Sequence, residues 1–230
     1  MNFNFSEGET LLFNKPLHWT SFDVVNKIRY AIKVKKVGHA GTLDPLATGL
    51  LIVCTGKFTK NIDKIQGQEK EYTGSITLGA TTPSYDLETA IDKTFSFEHI
   101  TSQMINDATH QFIGTIQQIP PAYSAKNING ERAYKKARRN EKVIMQPKEV
   151  VISNFEITNI ELPHIHFRVV CSKGTYIRSL ANDLGAALKS GAYLSSLCRT
   201  RIGNYTLANA FDVLDFVEKI KKGQAISEIG

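Results

Sequence analysis

The chain has 230 residues, 42% apolar and 22% charged, which suits one large domain or one domain with a small appendage. Its longest apolar run, Leu50 to Cys54, falls far below the ~18 residues of a membrane-crossing helix, and MNFNFSEGET lacks the basic and apolar regions of a secretion signal. Three scattered cysteines give no disulfide framework or zinc spacing and fit a reducing cytoplasm, while a net charge of +6 fits an acidic partner such as nucleic acid.

In chain order, Thr20 followed by Asp23 matches a capping box, and Val24, Val25, Ile28 and Ile32 recur at helical spacing, so a helix should begin near residue 21. Arg29, Lys33, Lys35 and Lys36 form a small basic cluster on and after it. Leu50 to Cys54, bounded by Gly49 and Gly56, reads as a buried strand, and Glu71 to Leu78 as a second. Phe97, Ile100, Met104, Ile105, Ala108 and Phe112 predict an amphipathic helix. A basic stretch follows, in which Lys126, Arg132, Lys135, Lys136, Arg138, Arg139 and Lys142 face only Glu131 and Glu141; a solvated helix face would look the same. Val150 to Ile160 and His164 to Cys171 predict two strands, the second alternating. After Gly174 the period lengthens: Ile177, Leu180, Leu184 and Leu188 share a helical face, and Phe211, Leu214, Val217 and Ile220 predict a terminal helix. Strands and helices are interspersed without strict alternation, so the fold class is α+β.

One segment stands apart: Gly38-His39-Ala40-Gly41-Thr42-Leu43-Asp44-Pro45-Leu46-Ala47-Thr48-Gly49. Its glycines permit positive φ, and Pro45 pushes Asp44 into extended backbone, a geometry that projects a carboxylate from a tight loop. As a phosphate cradle the segment lacks the Gly-Lys-Ser/Thr ending, and as a metal site it offers only His39 and Asp44. A plain Asp-Pro turn remains open on composition alone.

GHAGTLDPLATGLL resembles the catalytic loop of the TruB-type pseudouridine synthases. NKPLHWTSFDVVNKIR (14–29), KEYTGSITLG (70–79), IPPAYSAKNINGERAYKKAR (119–138), GTYIRSLANDLG (174–185) and LCRTRIG (197–203) resemble further segments of that family, in its order. The resemblance implies a pseudouridine-synthase-like fold, a mixed and mainly antiparallel sheet flanked by helices and loops. It implies one catalytic domain over residues 1–230. Bacterial members of the family commonly carry a small RNA-binding PUA domain after it; here only about 25 residues follow Tyr205, room for a terminal helix and tail over 206–230, so no PUA domain is expected.

The implied activity is conversion of uridine to pseudouridine in the T-loop of tRNA, at position 55, with no cofactor and no metal. Asp44 would be the essential carboxylate, Tyr72 would stack on the flipped base, and Arg178 would pair with Asp44 and keep it ionised. Tyr176 and Leu197 would wall the uracil pocket, and His39 would fill the gap left in the base stack. Lys15 and the basic residues Lys126, Arg132, Lys135, Lys136, Arg138 and Arg139 would contact phosphates. Asp86 stands where the family has an acidic RNA-contacting residue, although Thr89 replaces the glycine common nearby. The implied partner is the tRNA T-arm stem-loop, met by a monomer in the cytoplasm without a membrane or an obligate protein partner. The alternatives are an RNA-folding factor with secondary catalysis and a guide-RNA-dependent relative.

Overall fold

The computed structural model describes residues 3–128, 130–139 and 141–223. Its main strands are β1 (Thr10–Lys15), β2 (Val37–His39), β3 (Ala47–Thr55), β4 (Lys70–Leu78), β5 (Gly114–Gln118), β6 (Lys148–Glu161), β7 (His164–Cys171), β8 (Ala192–Ile202) and β9 (Phe211–Asp212). The α-helices are α1 (Ser21–Ile32), α2 (Ile62–Gly67), α3 (Ser102–His110), α4 (Ala133–Arg138), α5 (Ile177–Ala187) and α6 (Val213–Lys221). Parallel pairing of β1 with β9 and of β3 with β8 makes the sheet mixed, and most other pairs are antiparallel, as the α+β reading expects. Among the described residues, no helix is long and apolar enough to cross a membrane. The chain divides into two units, Met1–Tyr72 with Leu197–Gly230 and Thr73–Ser196.

In the first unit the strands run in the order β9-β1-β3-β8, with β2 on β3. The apolar run of β3 is continuous because both of its faces are covered. Leu51 and Val53 pack with Val24, Val25 and Ile28 of α1 and Phe216 and Val217 of α6. Leu50, Ile52 and Cys54 point the other way, toward Ile65 and Ile202. Thr20 caps α1 through the predicted box with Asp23, and Lys33 ends it in the left-handed region. Gly49 has φ +98°, and a Cβ there would collide with the backbone of Arg199, so glycine is what lets β3 lie close against β8.

In the second unit β4, β7, β6 and β5 lie in that order. β6 and β7 form a hairpin with two register shifts, and Phe155 and Phe167 meet edge to face at 6.0 Å in its core. The predicted helix between Phe97 and Phe112 is shorter than its pattern, because Thr101 caps its start by accepting from Met104 N and a turn ends it after His110. The terminal helix likewise starts late: Asp212 caps Leu214 N and Asp215 N, while Phe211 pairs with Phe13 in a strand. Within the predicted 206–230 helix and tail, residues 224–230 lie outside the described residues.

Candidate active site

The Asp44 loop connects β2 to β3, which pair antiparallel from His39↔Val53 to Val37↔Thr55. Asp44 opens a turn closed by Ala47 N donating to Asp44 O at 3.0 Å, with Pro45 at the position whose φ proline fixes. The backbone on either side is pinned by side chains from elsewhere in the same unit. The buried Ser21 hydroxyl accepts from Leu43 N at 2.9 Å and donates to Leu43 O at 3.2 Å. His18 N donates to Pro45 O at 2.8 Å. Arg199, 1% exposed, donates from Nη2 to Gly41 O and from Nε to Leu50 O, at 3.1 and 2.8 Å. The half-buried Asp44 is thus carried on a backbone held at Gly41, Leu43, Pro45 and Leu50.

Lys15 differs from its expected role as a phosphate contact. Its side chain is fully buried, and Nζ donates to Trp19 O at 2.6 Å, Pro16 O at 2.8 Å and Pro45 O at 3.4 Å. An ammonium closed off by three carbonyls has no face left for a phosphate, so Lys15 is part of the frame of the turn. Burial pushes its pKa down to about 8, against the opposing pull of the Asp44 and Asp23 charges. His39 ends β2 half-buried, with Nδ1 lacking a hydrogen-bond partner. Burial holds its pKa below the usual imidazole value; the nearby Gly41 backbone counteracts this in part and the Arg199 charge adds to it. Leu197 pairs in register with Ala47, three residues past Asp44, and its carbonyl accepts from Thr48 Oγ1 at 3.3 Å. Tyr72 lies on β4, 9% exposed.

Arg178 and Tyr176 lie in the second unit, at the start of α5. Arg178 is buried; its Nη1 donates to Tyr123 O at 3.0 Å and Ser84 O at 3.3 Å, and its Nε lies 3.6 Å from Asp86 Oδ2. Asp86 is therefore an internal counter-charge to Arg178, 5% exposed. Tyr176 is clamped by Gln118, whose Oε1 accepts from Tyr176 N at 2.8 Å and whose Nε2 donates to Tyr176 O at 3.1 Å. Ser179 Oγ adds a bond to Ile119 O at 2.7 Å, so the N-terminus of α5 is tied to the Gln118–Tyr123 segment. Ser21, Arg199 and Gln118 are positioning residues that sequence reasoning did not assign; they act on backbone groups distant in sequence, which no local pattern marks.

The basic segment folds as a short hairpin, Asn127–Ile128 with Glu131–Arg132, followed by α4. Most of its cations are paired with surface carboxylates or backbone, and Arg132, Lys135, Arg138 and Arg139 are exposed. Arg139 reaches Glu131 at 2.7 Å and Glu141 at 2.6 Å, and Arg138 reaches Glu88 at 2.6 Å while lying over the Tyr134 ring. Lys136 is 3.9 and 3.8 Å from Glu131 and Glu141, Arg132 donates to Ala125 O, and Lys135 is exposed. Among the described residues, no three His, Cys, Asp or Glu side chains gather as metal ligands.

The carboxylate on its pinned turn lies in the first unit and the cationic segment in the second. Residues 29–177 match the model of the TruB family pseudouridylate synthases (N-terminal domain), and the chain belongs to that family. It is similar to "tRNA pseudouridine synthase B" of Flavobacterium johnsoniae, 54% identical over 94% of this chain and 97% of that one. The protein of that name from Bacteroides fragilis is 56% identical over 94% of this chain and 96% of its own length. Among solved structures, a Cbf5-Nop10-Gar1 complex matches with TM-score 0.75 and 26% identity over 96% of this chain, and an archaeal box H/ACA sRNP Nop10-Cbf5 complex with TM-score 0.70 and 25% identity over 94%. The chain spans 58% and 54% of those two solved chains.

Proposed function

We propose that this chain converts uridine to pseudouridine in tRNA, at position 55 of the T-loop, with Asp44 as the essential carboxylate. The observation that carries the reading is the pinned Asp44 turn in a chain more than half identical, over nearly its whole length, to relatives named for this activity on tRNA. The reaction breaks the bond between uracil N1 and C1′ of the ribose, turns the base and rejoins it through C5. It transfers no group from outside and changes no oxidation state, so it asks for a positioned acid-base group and a shaped pocket rather than a cofactor. The target nucleotide must leave its stack first, at a cost of a few kcal/mol.

Asp44, Tyr72 and Arg178 form the catalytic set of this reading, with Tyr176 and Leu197 against the uracil and His39 in the vacated stack. Lys126, Arg132, Lys135, Lys136, Arg138 and Arg139 meet the RNA backbone; each phosphate neutralised steepens the salt dependence of binding. Residues 1–230 serve as one catalytic domain, and the chain acts on the T-arm as a monomer in the cytoplasm. Identity above 50% to the tRNA-named relatives, against 25–26% to the Cbf5 complexes, supports action without a guide RNA. The test is a T-arm hairpin carrying tritium at uridine C5, offered without guide or partner. The wild-type chain should release tritium and Asp44→Ala should lose at least a thousandfold in rate; equal release by both would remove Asp44 from the chemistry.

A further inference from the structure

One opening near the Asp44 turn is not used by the uridine chemistry. His18, Trp19, Asp23, Asn26, Lys27 and Tyr30 line an open pocket of about 480 Å³ on the first turns of α1 and the loop before it. Its aromatic content is unusual for a solvent-facing helix: Tyr30 is 80% exposed, and Phe22 one turn from Asn26 is also open. The inner face of the same helix already buries Val24, Val25 and Ile28, so the core does not require these outer rings. Lys27 lines the pocket and is exposed. The carboxylate of Asp23 is committed to the helix cap, accepting from Thr20 N at 2.8 Å and Thr20 Oγ1 at 2.6 Å.

The pocket is also joined to the turn that carries Asp44. His18 takes a positive φ of 65° while its N–H donates to Pro45 O, and Lys15 Nζ bridges Trp19 O and Pro45 O. Pro45 follows Asp44 directly, so whatever binds at Trp19 sits beside the residue that addresses the uridine. The open Tyr30 ring and the part-exposed Trp19, which rests on the core beneath it, accept any base face, and a lysine at the rim supplies the phosphate contact. Together they describe a stacking site for single-stranded nucleic acid.

We propose that this pocket takes a second nucleotide of the substrate RNA, its base against Trp19 and Tyr30 and its phosphate at Lys27. The inference rests on the reading of tRNA as substrate and extends the footprint beyond the flipped uridine. Trp19 is the only tryptophan of the chain, so its emission reports on the pocket directly. Titration with a T-arm hairpin should quench that emission. Tyr30→Ala should weaken binding and raise KM about tenfold with kcat held, Tyr30→Phe should restore both, and Lys27→Ala should lower the slope of log K against log salt by about one. Because Tyr30 projects into solvent, its variants should melt with the wild-type chain. Turnover by the wild type with unmoved Trp19 emission at saturation, or with unchanged KM in Tyr30→Ala, would overturn the pocket alone. Absence of wild-type turnover on T-arm RNA would overturn the substrate reading and the pocket with it.

Discussion

The Asp44 loop and the basic segment 126–142 are held by opposite means. Around Asp44, the stabilising side chains are buried: Ser21, Lys15 and Arg199 each satisfy backbone carbonyls or amides that would otherwise be stranded. Removing such a partner leaves a desolvated polar group, which costs about 1–3 kcal/mol per group. In the basic segment the backbone is held at Ala133 and Tyr134, whose amides donate to Lys126 O and Ser124 O. The cations themselves are tied by surface ion pairs, Arg139 with Glu131 and Glu141 and Arg138 with Glu88, which solvent largely screens. The contrast separates two tasks. A reacting carboxylate gains from a fixed position, whereas cations that must find phosphates gain from partners they can leave.

The largest effect should follow Arg199→Met. It strands the carbonyls of Gly41 and Leu50, and urea unfolding should show a loss of about 3 kcal/mol together with a steep drop in turnover. A change below 0.5 kcal/mol would show that the loop is not held from this side. Lys15 gives a pH signature of similar size. Its folded pKa of about 8 lies below the unfolded value, so between about pH 8 and 10.5 the unfolded chain binds the extra proton and stability rises with pH, by up to about 3 kcal/mol. Lys15→Met should lack that rise, and identical pH profiles for the two proteins would contradict the burial. Ser21→Ala should cost about 1–2 kcal/mol, read in thermal melts, and should lower kcat more than KM because the residue orients Asp44 through Leu43. Arg139→Ala marks the other end of the scale. Its thermal melt should coincide with that of the wild-type chain, while the salt slope of T-arm binding falls by about one. A marked loss of stability there would erase the distinction between the two regions.

Some of this was visible in the sequence, for identifiable reasons. The capping box of Thr20 and Asp23, the β3 run and the β6–β7 hairpin were legible because local pattern decides them. The Asp44 segment was legible because its residue order is distinctive. β8 was not read as a strand, since Arg199 and Arg201 interrupt its apolar pattern and the burial of Arg199 depends on carbonyls contributed by Gly41 and Leu50. The phosphate role of Lys15 came from the family resemblance; only the fold reveals the three carbonyls that enclose it. Arg178 and Asp86 were each noticed, but their pairing across 92 residues of chain leaves no local trace.

Amide hydrogen exchange in the free chain and in the presence of T-arm RNA tests the division of labour most directly. The account predicts slow exchange at Leu43 and Ala47, whose amides donate to Ser21 and Asp44, in both states. It predicts faster exchange at Lys135, Arg138 and Arg139, the exposed positions on and just after the short α4, in the free chain, slowing when RNA covers them. Exchange at Leu43 and Ala47 as fast as at these three, before RNA is added, would contradict it.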